Sequence, residues 1–312
     1  MIGRGRNLSE RRDRLRLDVK STEPRRLDSY LVESLPWKSR NRLQKLIREQ
    51  GVTVNGEPAK ASRRVRAGDV IDLHLSPGVD VPADYDERTI ETIYEDEWLL
   101  AVSKPPNMLV HPVGKHVYDT LINYLHFRYH ETGKDGDEVT PRLCHRLDRD
   151  TTGVLVVAKS AYVHRDVMFQ FENRLVRKRY STVVEGRFPD TLRRIAIPIG
   201  EGRCLRSALE HDMLRSSETL VEVVRALDDH SVLRCSPSTG RQNQIRVHLA
   251  AVGHPVVGDT RYGAMPTAGH PARSGWPSRY LLHAEFLRFW HPRLHAAVEI
   301  SAPPPADFPR LE

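Results

Sequence analysis

The sequence predicts an α+β protein in which a small module precedes a larger domain. Predicted strands outnumber predicted helices, and the two do not alternate strictly as they do in a doubly wound fold. With 312 residues, the chain is long enough for one large domain and one small one. Hydrophobic residues make up 39% of it, which is sufficient for a packed core and excludes a disordered polymer.

The composition is basic, with a formal net charge of +7. Lys and Arg neutralise phosphates, so this excess favours a nucleic-acid partner, although a basic protein without such a partner is the alternative. Three cysteines, Cys144, Cys204 and Cys235, form no C-x-x-C pair, which favours reduced thiols over disulfides or a thiolate metal site. Because no signal-like or bilayer-length apolar run occurs, we expect a cytoplasmic protein with no membrane contact.

The N-terminal region predicts a tail followed by two short helices. Residues 1–24 are rich in arginine and lack apolar periodicity, which indicates a basic flexible tail. Leucines recur at helical spacing from Leu27 until Pro36 ends this helix. A second helix is predicted from an N-cap at Ser39 to a stop at Gly51, with its core-facing positions at Leu43, Leu46 and Ile47.

A small β-structure completes this module. Residues 52–54 predict a strand, and Asn55 with Gly56 is a strong signal for a tight turn. Alternation of apolar and polar residues over 71–75 predicts another half-buried strand. Residues 25–76 would therefore form one compact unit.

The second helix carries basic residues away from its core face, which on charge pattern alone would be an ordinary solvated surface. The segments RLDSYLVESLPWKSRNRLQKLIREQGVTVNG and AGDVIDLHL, however, resemble the S4-like RNA-binding domain. The resemblance covers Arg26 to about Leu75 and extends through both helices and the hairpin. In that family the second helix and its approach contact RNA, which implies RNA-binding roles for Ser39, Arg40, Arg42, Lys45 and Arg48.

The rest of the chain predicts a linker at 77–88, a domain at 89–302 and a tail at 303–312. The domain should begin with paired strands near 90–93 and 98–102 and a helix that Asp119 caps. The patterns then predict a loop at 131–139, a strand at 154–158, a helix from 163 to 175 and a strand at 180–184. Strands and turns should follow over 193–237. Thr239, Gly240 and Arg241 should open the next helix, which Gly253 ends, and a loop is predicted at 264–279.

The segment HRLDRDTTG at 145–153 is the most informative one in the chain. It places Arg146 and Asp148 two residues apart and then enters the apolar run at 154–158. A carboxylate at the edge of a buried strand suits chemistry better than solubility, although a lone aspartate between arginines is more often a surface ion pair. The segments 178–180 and 240–248 are candidates to converge on it.

Several common catalytic motifs are absent from the sequence. There is no P-loop, no complete dinucleotide fingerprint and no G-x-S-x-G nucleophile elbow. His126 and His130 lie four residues apart but lack the glutamate of H-E-x-x-H, so we interpret them as surface histidines rather than a zinc pair. We therefore expect no metal site.

Three motifs together closely resemble the RluA-type family of RNA pseudouridine synthases: HRLDRDTTGVLVVAKS, KRYSTVVEG and TGRQNQIRVHLAAVGHPVVGDTRYG. The resemblance runs from about Ile90 to Pro292, and an S4-like domain ahead of it is a familiar arrangement. The chain departs from the family pattern in two places. Gln242 and Asn243 stand where Thr-His is usual, and Pro106 and Asn107 stand where Ala-Gly is common.

The resemblance implies that Asp148 is the catalytic carboxylate, Tyr180 packs against the target base and Arg246 pairs with the aspartate. Arg146 would enter the stack that the extruded uridine leaves, and Arg241 would bind RNA. The reaction moves uracil from an N1 to a C5 linkage, which implies no cofactor and no metal. A contacting arginine lowers the pKa of an aspartate by about 1–3, so we expect Arg246 to keep Asp148 ionised.

The sequence therefore predicts an RNA pseudouridine synthase that acts by base flipping on large-subunit (23S) ribosomal RNA or on ribosome-assembly intermediates, as a monomer. The alternative is a noncatalytic RNA-binding assembly factor that retains the fold, but such a factor would not need the intact set of Asp148, Tyr180 and Arg246. Attack of Asp148 on C1′, attack on C6 and removal of a sugar proton all remain open, as do the uridine positions and a transfer-RNA substrate.

Overall fold

The structure is a computed structural model that describes residues 14–21, 23–35, 40–74, 90–113, 116, 119–132, 139–200, 208–210, 213–263 and 277–309. These residues divide into two compact units. The first contains the described residues up to 74 together with Val113 and His116, and the second contains those of 90–112 and 119–309. The predicted linker at 77–88 lies outside the described residues.

The first unit combines two short helices with a four-stranded sheet. Its elements are β1 (Arg14–Asp18), β2 (Arg25–Arg26), α1 (Leu27–Ser34), α2 (Arg40–Arg48), β3 (Val52–Val54), β4 (Glu57–Pro58), β5 (Arg64–Val65) and β6 (Val70–His74). The sheet has the order β1-β6-β3-β4 with antiparallel neighbours, and β2 pairs with β5. The apolar faces of both helices pack on the sheet in one core, as their leucine spacing predicts.

The predicted tail at 1–24 is wrong for residues 14–18. These residues form β1, which pairs along its whole length with β6. Leu15 and Leu17 are half-buried and pack against the core, while the charged residues between them face solvent. A two-residue apolar alternation thus lies within the arginine-rich segment.

The backbone turns sharply at two places in this unit, between β3 and β4 and after α2. Asn55 and Gly56 both have positive φ, 56° and 85°, as the predicted turn between β3 and β4 requires. Helix α2 ends at Arg48, shortly before the predicted stop at Gly51, and Gln50 is the left-handed residue, at φ 60°. A Cβ at position 51 would lie 2.6 Å from Cδ1 of Leu46 and 3.1 Å from the carbonyl oxygen of His74, so a larger residue there would require the Leu46 side chain to move.

The second unit is a large mixed sheet with helices against it. Its elements are β7 (Glu91–Glu95), β8 (Leu99–Lys104), α3 (Leu121–Thr132), β9 (Arg142–Leu143), β10 (Thr152–Ala158), α4 (Ala161–Glu172), β11 (Arg177–Glu185), β12 (Arg194–Ile195), β13 (Thr219–Ala226), β14 (His230–Pro237), α5 (Gln244–Ala251), β15 (Leu282–His291) and β16 (Ala296–Ser301).

The strand order is β12-β13-β14-β11-β15-β10-β8-β7, with β9 added to β10 and β16 added to β15. Among the described strands, β10 and β15 form the one parallel pair, over Thr152 and Gly153. The predicted α+β class with a mostly antiparallel sheet is therefore confirmed. Every residue of β10 is buried, which agrees with its continuous apolar sequence.

Apolar cores pack the helices on this sheet, and two of them contain α4 and α5. One packs α4 on β8, β10 and β15, and includes Val154, Val163 and Phe289. The other packs α5 on β11, β13 and β14, and includes Leu233 and Leu249. The candidate site lies in the cleft that α4 and the start of α5 border.

The predicted tail at 303–312 is wrong for its described part. Phe308 is buried in a cluster with Val183 and Leu281, and Asp307 accepts two hydrogen bonds from Arg279, at 2.6 and 3.0 Å. Burial of Phe308 therefore holds the described part of the C-terminal segment against the second unit.

Other differences concern the ends of helices. Helix α3 begins after Thr120, so Asp119 is not its cap, and it continues to Thr132 into the predicted loop. Helix α4 ends before Leu175, which is exposed, and α5 begins at Gln244 rather than near Thr239. No helix in the described part of the chain is long and apolar enough to cross a membrane.

Candidate active site

The candidate site is a cleft of about 590 Å³ in the second unit. Arg146 and Asp148, Lys178 and Tyr180, and the residues from Thr239 to Ile245 all line it. The three segments that the sequence singled out thus converge, although about 30 and 60 residues separate them along the chain.

The Asp148 loop, residues 144–151, connects the antiparallel strands β9 and β10. The amide of Val156 donates to Nε2 of His145 at 3.0 Å, and the imidazole stacks on Phe171 with ring centroids 4.7 Å apart. Burial lowers the pKa of His145 to about 3, so the ring is neutral and its proton lies on Nδ1. His145 therefore anchors the start of the loop to β10 and α4.

A buried lysine, which the sequence did not single out, holds the other end of the loop. Nζ of Lys104 donates to the carbonyls of Pro105 at 2.7 Å, Met108 at 3.1 Å and Arg149 at 2.9 Å. Burial lowers the pKa of Lys104 to about 7, against the opposing charges of Asp150 and Asp148. Only an ammonium has three N–H donors for three carbonyls, so its protonated form fits this position.

Asn107, one of the departures from the family pattern, also helps to hold the end of the Asp148 loop. Its φ is 57°, a left-handed conformation that asparagine tolerates better than most residues. Its amide donates to Oδ1 of Asp150 at 3.2 Å, and its side-chain oxygen accepts from the guanidinium of Arg149. Position 107 can thus do without glycine because asparagine adopts the same turn.

Beyond Asp148 the chain enters β10 through a crowded junction with β15. Gly153 has φ 107°, and a Cβ there would lie 2.2 Å from the carbonyl oxygen of Ala284. Thr152 hydrogen-bonds Nδ1 of His283 at 2.8 Å, and Thr151 bonds the hydroxyl of Tyr280 at 3.2 Å. These contacts fix where the loop leaves the sheet.

Asp148 itself is partly open to the cleft, with 23% of its side chain exposed. Burial raises its pKa above the ordinary value, while the guanidinium groups of Arg246 and Arg146 and then the ammonium of Lys104 act to lower it. Arg246 thus lowers this pKa as expected, but burial outweighs the nearby cations, so the pKa of Asp148 lies above its ordinary value.

Arg246 is held mainly by a residue that the sequence analysis did not assign. Its Nε and Nη2 donate to both carboxylate oxygens of Asp259, at 2.7 and 2.8 Å, and Nη1 donates to Asn243 at 2.8 Å. Its Nη1 lies 3.9 Å from Oδ2 of Asp148, longer than a hydrogen bond. The predicted pairing with Asp148 is therefore a looser electrostatic contact.

Aromatic rings and Asn243 complete the surroundings of this guanidinium. Its Cζ lies 3.9 Å from the ring centroid of Tyr280 and 5.0 Å from that of Tyr262. Asn243, the second departure from the family pattern, has φ 54° and donates from Nδ2 to the hydroxyl of Tyr262 at 3.0 Å. The GDTRYG stretch was recognised in the sequence, but no pattern showed that its aspartate faces Arg246.

Tyr180 is half-buried in the wall of the cleft, on β11. Burial and then the charge of Asp148 raise its pKa, so the phenol is neutral. Nearby, Nζ of Lys178 donates to the carbonyl of Thr239 at 3.2 Å, and burial lowers the pKa of Lys178 to about 8. This bond links β11 to the segment that precedes α5.

Arg146 and Arg241 also line the cleft. Arg146 is exposed, whereas Arg241 is half-buried and its Nε donates to the carbonyl of Ser216 at 3.2 Å. The RNA-binding roles of both residues remain predictions. Within the described residues, no group of three or more His, Cys, Asp or Glu is arranged to hold a metal ion.

The predicted RNA contacts of the first unit have mixed placements. Ser39 and the side chain of Arg42 lie outside the described residues. Nη2 of Arg40 donates to Oδ2 of the buried Asp28 at 3.3 Å. Nζ of Lys45 lies 3.6 Å from Oε1 of Glu49. Arg48 is exposed. Arg40 is thus partly engaged in joining α2 to α1.

Asp28 is the buried centre of that connection. Arg26 donates to it at 3.0 and 3.1 Å, and Gln44 donates at 3.3 Å. The bonds from Arg26, and then those from Arg40 and Gln44, lower the pKa of Asp28 despite its burial.

Comparisons with known protein families identify both units. Residues 98–251 match the model of a family described as RNA pseudouridylate synthase, and residues 25–71 match the S4 domain. The two matches fall in the second and first units, respectively.

Individual relatives match nearly the whole chain. It is 30% identical over 301 residues to an uncharacterized RNA pseudouridine synthase of Bacillus subtilis, covering 95% of this chain and 96% of that protein. It is 33% identical over 306 residues to the ribosomal large subunit pseudouridine synthase D of Xylella fastidiosa, covering 92% and 88%. The solved human RNA pseudouridylate synthase domain containing 4 shares the fold at a TM-score of 0.58 and 22% identity, over 70% of this chain and 89% of that chain.

Proposed function

This chain belongs to the RNA pseudouridine synthase family, and we propose that it isomerises specific uridines of large-subunit ribosomal RNA through Asp148. Family membership makes it an isomerase with an S4 domain ahead of the synthase region. The observation that carries the catalytic assignment is that Asp148 and Tyr180 line one cleft and that Arg246 lies 3.9 Å from Asp148.

Isomerisation of uridine to pseudouridine can use a carboxylate and needs no redox group. The C1′–N1 bond breaks, uracil turns while bound, and a C5–C1′ bond forms; C5 gives up its proton and N1 gains one. Substrate and product contain the same atoms, so no electrons are exchanged and no hydrolytic water is consumed. A single carboxylate therefore suffices, unlike the pair that a glycosidase requires.

Asp148 has the freedom that this role needs. The 3.9 Å gap to Arg246 leaves its carboxylate without a tight guanidinium partner, while the positive charge stays close. Ionised Asp148 can meet C1′ or C6 of a bound uridine or take a sugar proton, and Arg246 stabilises the charge that it carries.

Access to the glycosidic bond requires the nucleotide to flip out, at a cost of a few kcal/mol. Stacking on Tyr180 would offset about 1–3 kcal/mol of that cost. Arg146 is exposed beside Asp148 on the same loop, where its flat guanidinium can occupy the space that the base leaves.

The proposed substrate follows from the relatives and the S4 domain. Among the relatives is one named for the large ribosomal subunit, and the S4 domain adds a second region for RNA contact. A ribosomal RNA substrate places the enzyme in the cytoplasm, and we expect it to act there as a monomer. Carbodiimide-based pseudouridine mapping of total RNA from cells with and without this gene identifies the positions.

The test of the catalytic assignment is Asp148→Asn. This variant should lose isomerisation while its RNA affinity stays nearly unchanged, because the amide keeps the shape but cannot carry the negative charge. Glu172→Gln, which changes another carboxylate of the same cleft, is the control and should remain active. Full activity of Asp148→Asn in a tritium-release or mapping assay would show that the assignment is wrong.

A further inference from the structure

A second surface of the catalytic unit has features that the proposed chemistry does not use. It is a groove between α4 and the end of β15, here called the α4–β15 groove, lined among others by Phe169, Leu175, Arg177, Arg288, Trp290 and His295. Phe169 is 58% exposed, Leu175 60% and Trp290 53%. A cluster of large apolar side chains exposed to solvent is unfavourable in free energy, and such clusters mark interaction surfaces.

Positive charge accompanies these aromatic rings. Arg177 and Arg288 line the groove together with Asp166, and Arg288 lies 3.3 Å from Glu299 at its edge. Arg293, in the turn after Trp290, lies with Cζ 6.0 Å from the ring of Tyr162 on α4. The mixture of exposed rings and guanidinium groups suits a partner with flat apolar faces and negative charge.

Trp290 is held in place by a buried amide. The side chain of Gln170 on α4 donates to the carbonyl of Trp290 at 2.8 Å and accepts from its amide at 2.8 Å. Gln170 is itself buried. The backbone under the indole is therefore fixed against α4, so Trp290 offers a platform whose position does not depend on the partner.

The groove lies near the active-site cleft, because α4 contributes residues to both. Phe171 and Glu172 of this helix line the cleft, whereas Phe169 and Gln170 line the groove. After the helix ends, Arg174 lines the cleft and Arg177 lines the groove. Three residues of chain span at most about 11 Å, so the part of the groove at Arg177 lies close to the part of the cleft at Arg174.

We propose that the α4–β15 groove binds an unpaired segment of the RNA substrate that flanks the target uridine. Trp290 and Phe169 stack on its bases, and Arg177 and Arg288 contact its phosphates. Aromatic stacking combined with arginine contacts is how proteins bind single-stranded nucleic acid. The arginines of the groove and its closeness to the cleft favour RNA over a protein partner, and the inference rests on the proposed RNA substrate.

The experiment compares two RNAs that contain the same mapped uridine. One is a full-length large-subunit ribosomal RNA transcript, and the other is a short stem-loop without the flanking sequence. Affinity is measured in the Asp148→Asn background and turnover in the active enzyme. The variants are Trp290→Ala, the conservative Trp290→Phe, and the double variant Arg177→Gln with Arg288→Gln. Leu220→Ala removes an equally exposed apolar side chain from β13 and serves as the control.

Trp290→Ala should weaken binding of the long RNA by about 5- to 150-fold, the equivalent of one lost stacked base. Its KM should rise with little change in kcat, and Trp290→Phe should restore most of the affinity. The double arginine variant should reduce the slope of log Kd against log salt by about 1.5. The effects should be confined to the long RNA.

Three results would overturn the inference. Wild-type affinity and salt slope in all groove variants would remove the groove from RNA binding. An equal loss on both RNAs would show that Trp290 acts on the cleft itself. A wild-type dimer that Trp290→Ala dissociates would make the groove a protein interface. A wild-type enzyme that neither binds nor modifies the transcript would instead overturn the proposed function, and the inference with it.

Discussion

Arg246 uses most of its hydrogen-bonding capacity on groups other than Asp148. Asp259 takes Nε and Nη2, and Asn243 takes one proton of Nη1, out of the five N–H donors of a guanidinium. Asp259 also accepts from the amides of Arg261 and Tyr262 at 3.0 and 3.1 Å. The cation is thus positioned by its own buried partners, and the carboxylate of Asp148 remains available to a substrate.

This arrangement makes Asp259 a positioning residue. In Asp259→Asn an amide NH₂ would face the guanidinium, so Arg246 should shift and the enzyme should lose about 3–5 kcal/mol of stability. Because Arg246 is the strongest of the cations that lower the pKa of Asp148, the acidic limb of the kcat–pH profile should move to higher pH.

The control for Asp259→Asn is Asp190→Asn, which alters an exposed aspartate of the same unit. Thermal unfolding and kcat–pH profiles measure the two effects separately. A lower Tm with an unchanged kcat and pH profile would mean that Asp259 serves the fold alone.

Asp148 should also reduce stability at neutral pH. Its pKa is raised in the folded protein, so the folded state holds the proton more tightly than the unfolded chain. Stability therefore falls as the pH rises from the ordinary pKa through the raised one, and it stays lower above that range. Asp148→Asn should have a higher Tm than wild type at neutral pH, and the difference should shrink as the pH falls toward the ordinary pKa of aspartate.

Differential scanning calorimetry across this pH range checks the prediction. A Tm of Asp148→Asn at or below that of wild type at neutral pH would contradict it. The same substitution thus separates catalysis from stability, because it should remove the first and improve the second.

The elements around the cleft act mainly by fixing the Asp148 loop. His145 attaches its start to β10, and Lys104 binds the carbonyl of Arg149 near its end. The junction of β10 and β15 at Gly153 sets the exit of the loop. A loop that is tied at both ends keeps its carboxylate in one place without a direct bond to it.

Gly153→Ala tests this junction. A methyl group 2.2 Å from the Ala284 carbonyl, on a backbone at φ 107°, should cost about 3 kcal/mol or more and lower the Tm by roughly 10 °C. Gly240→Ala changes a glycine of the same cleft whose Cβ would meet nothing within 4 Å, so it should unfold like wild type. Equal Tm values for the two variants would contradict the crowding.

Most helices and strands were predictable from apolar periodicity, because long buried faces repeat every two or three to four residues. The exceptions were segments with few apolar residues, such as β1 with two leucines and the segment docked by Phe308. Motif resemblance singled out Asp148, Tyr180 and Arg246, of which the first two line the cleft and the third lies beside Asp148. It did not reveal the pair of Arg246 with Asp259, since tertiary geometry and not sequence spacing selects that partner.

At the scale of the whole molecule, RNA binding should draw on both units. Deleting residues 1–80 should weaken binding to structured RNA and flatten its salt dependence, because the basic residues of α2 are removed, while a stable catalytic unit remains. Each lost phosphate contact should lower the slope of log Kd against log salt by about 0.7–0.9.

The full-length double variant Lys45→Gln with Arg48→Gln isolates the helix from the rest of the deletion. Lys60→Gln, another exposed lysine of the first unit, is its control. Filter binding over a salt series provides the slopes. Unaltered affinity with the same slope in the deletion would exclude an RNA role for α2.

The order of the strands has a consequence for how the protein is made. Strand β15 lies between β11 and β10 and pairs with both, yet it follows them by about a hundred residues or more. During synthesis, the sheet portions built on β10 and on β11 emerge first, each with an unpaired edge. A nascent chain can join them only after residues 282–288 of β15 have left the ribosome, so the candidate active-site cleft is among the last features to form.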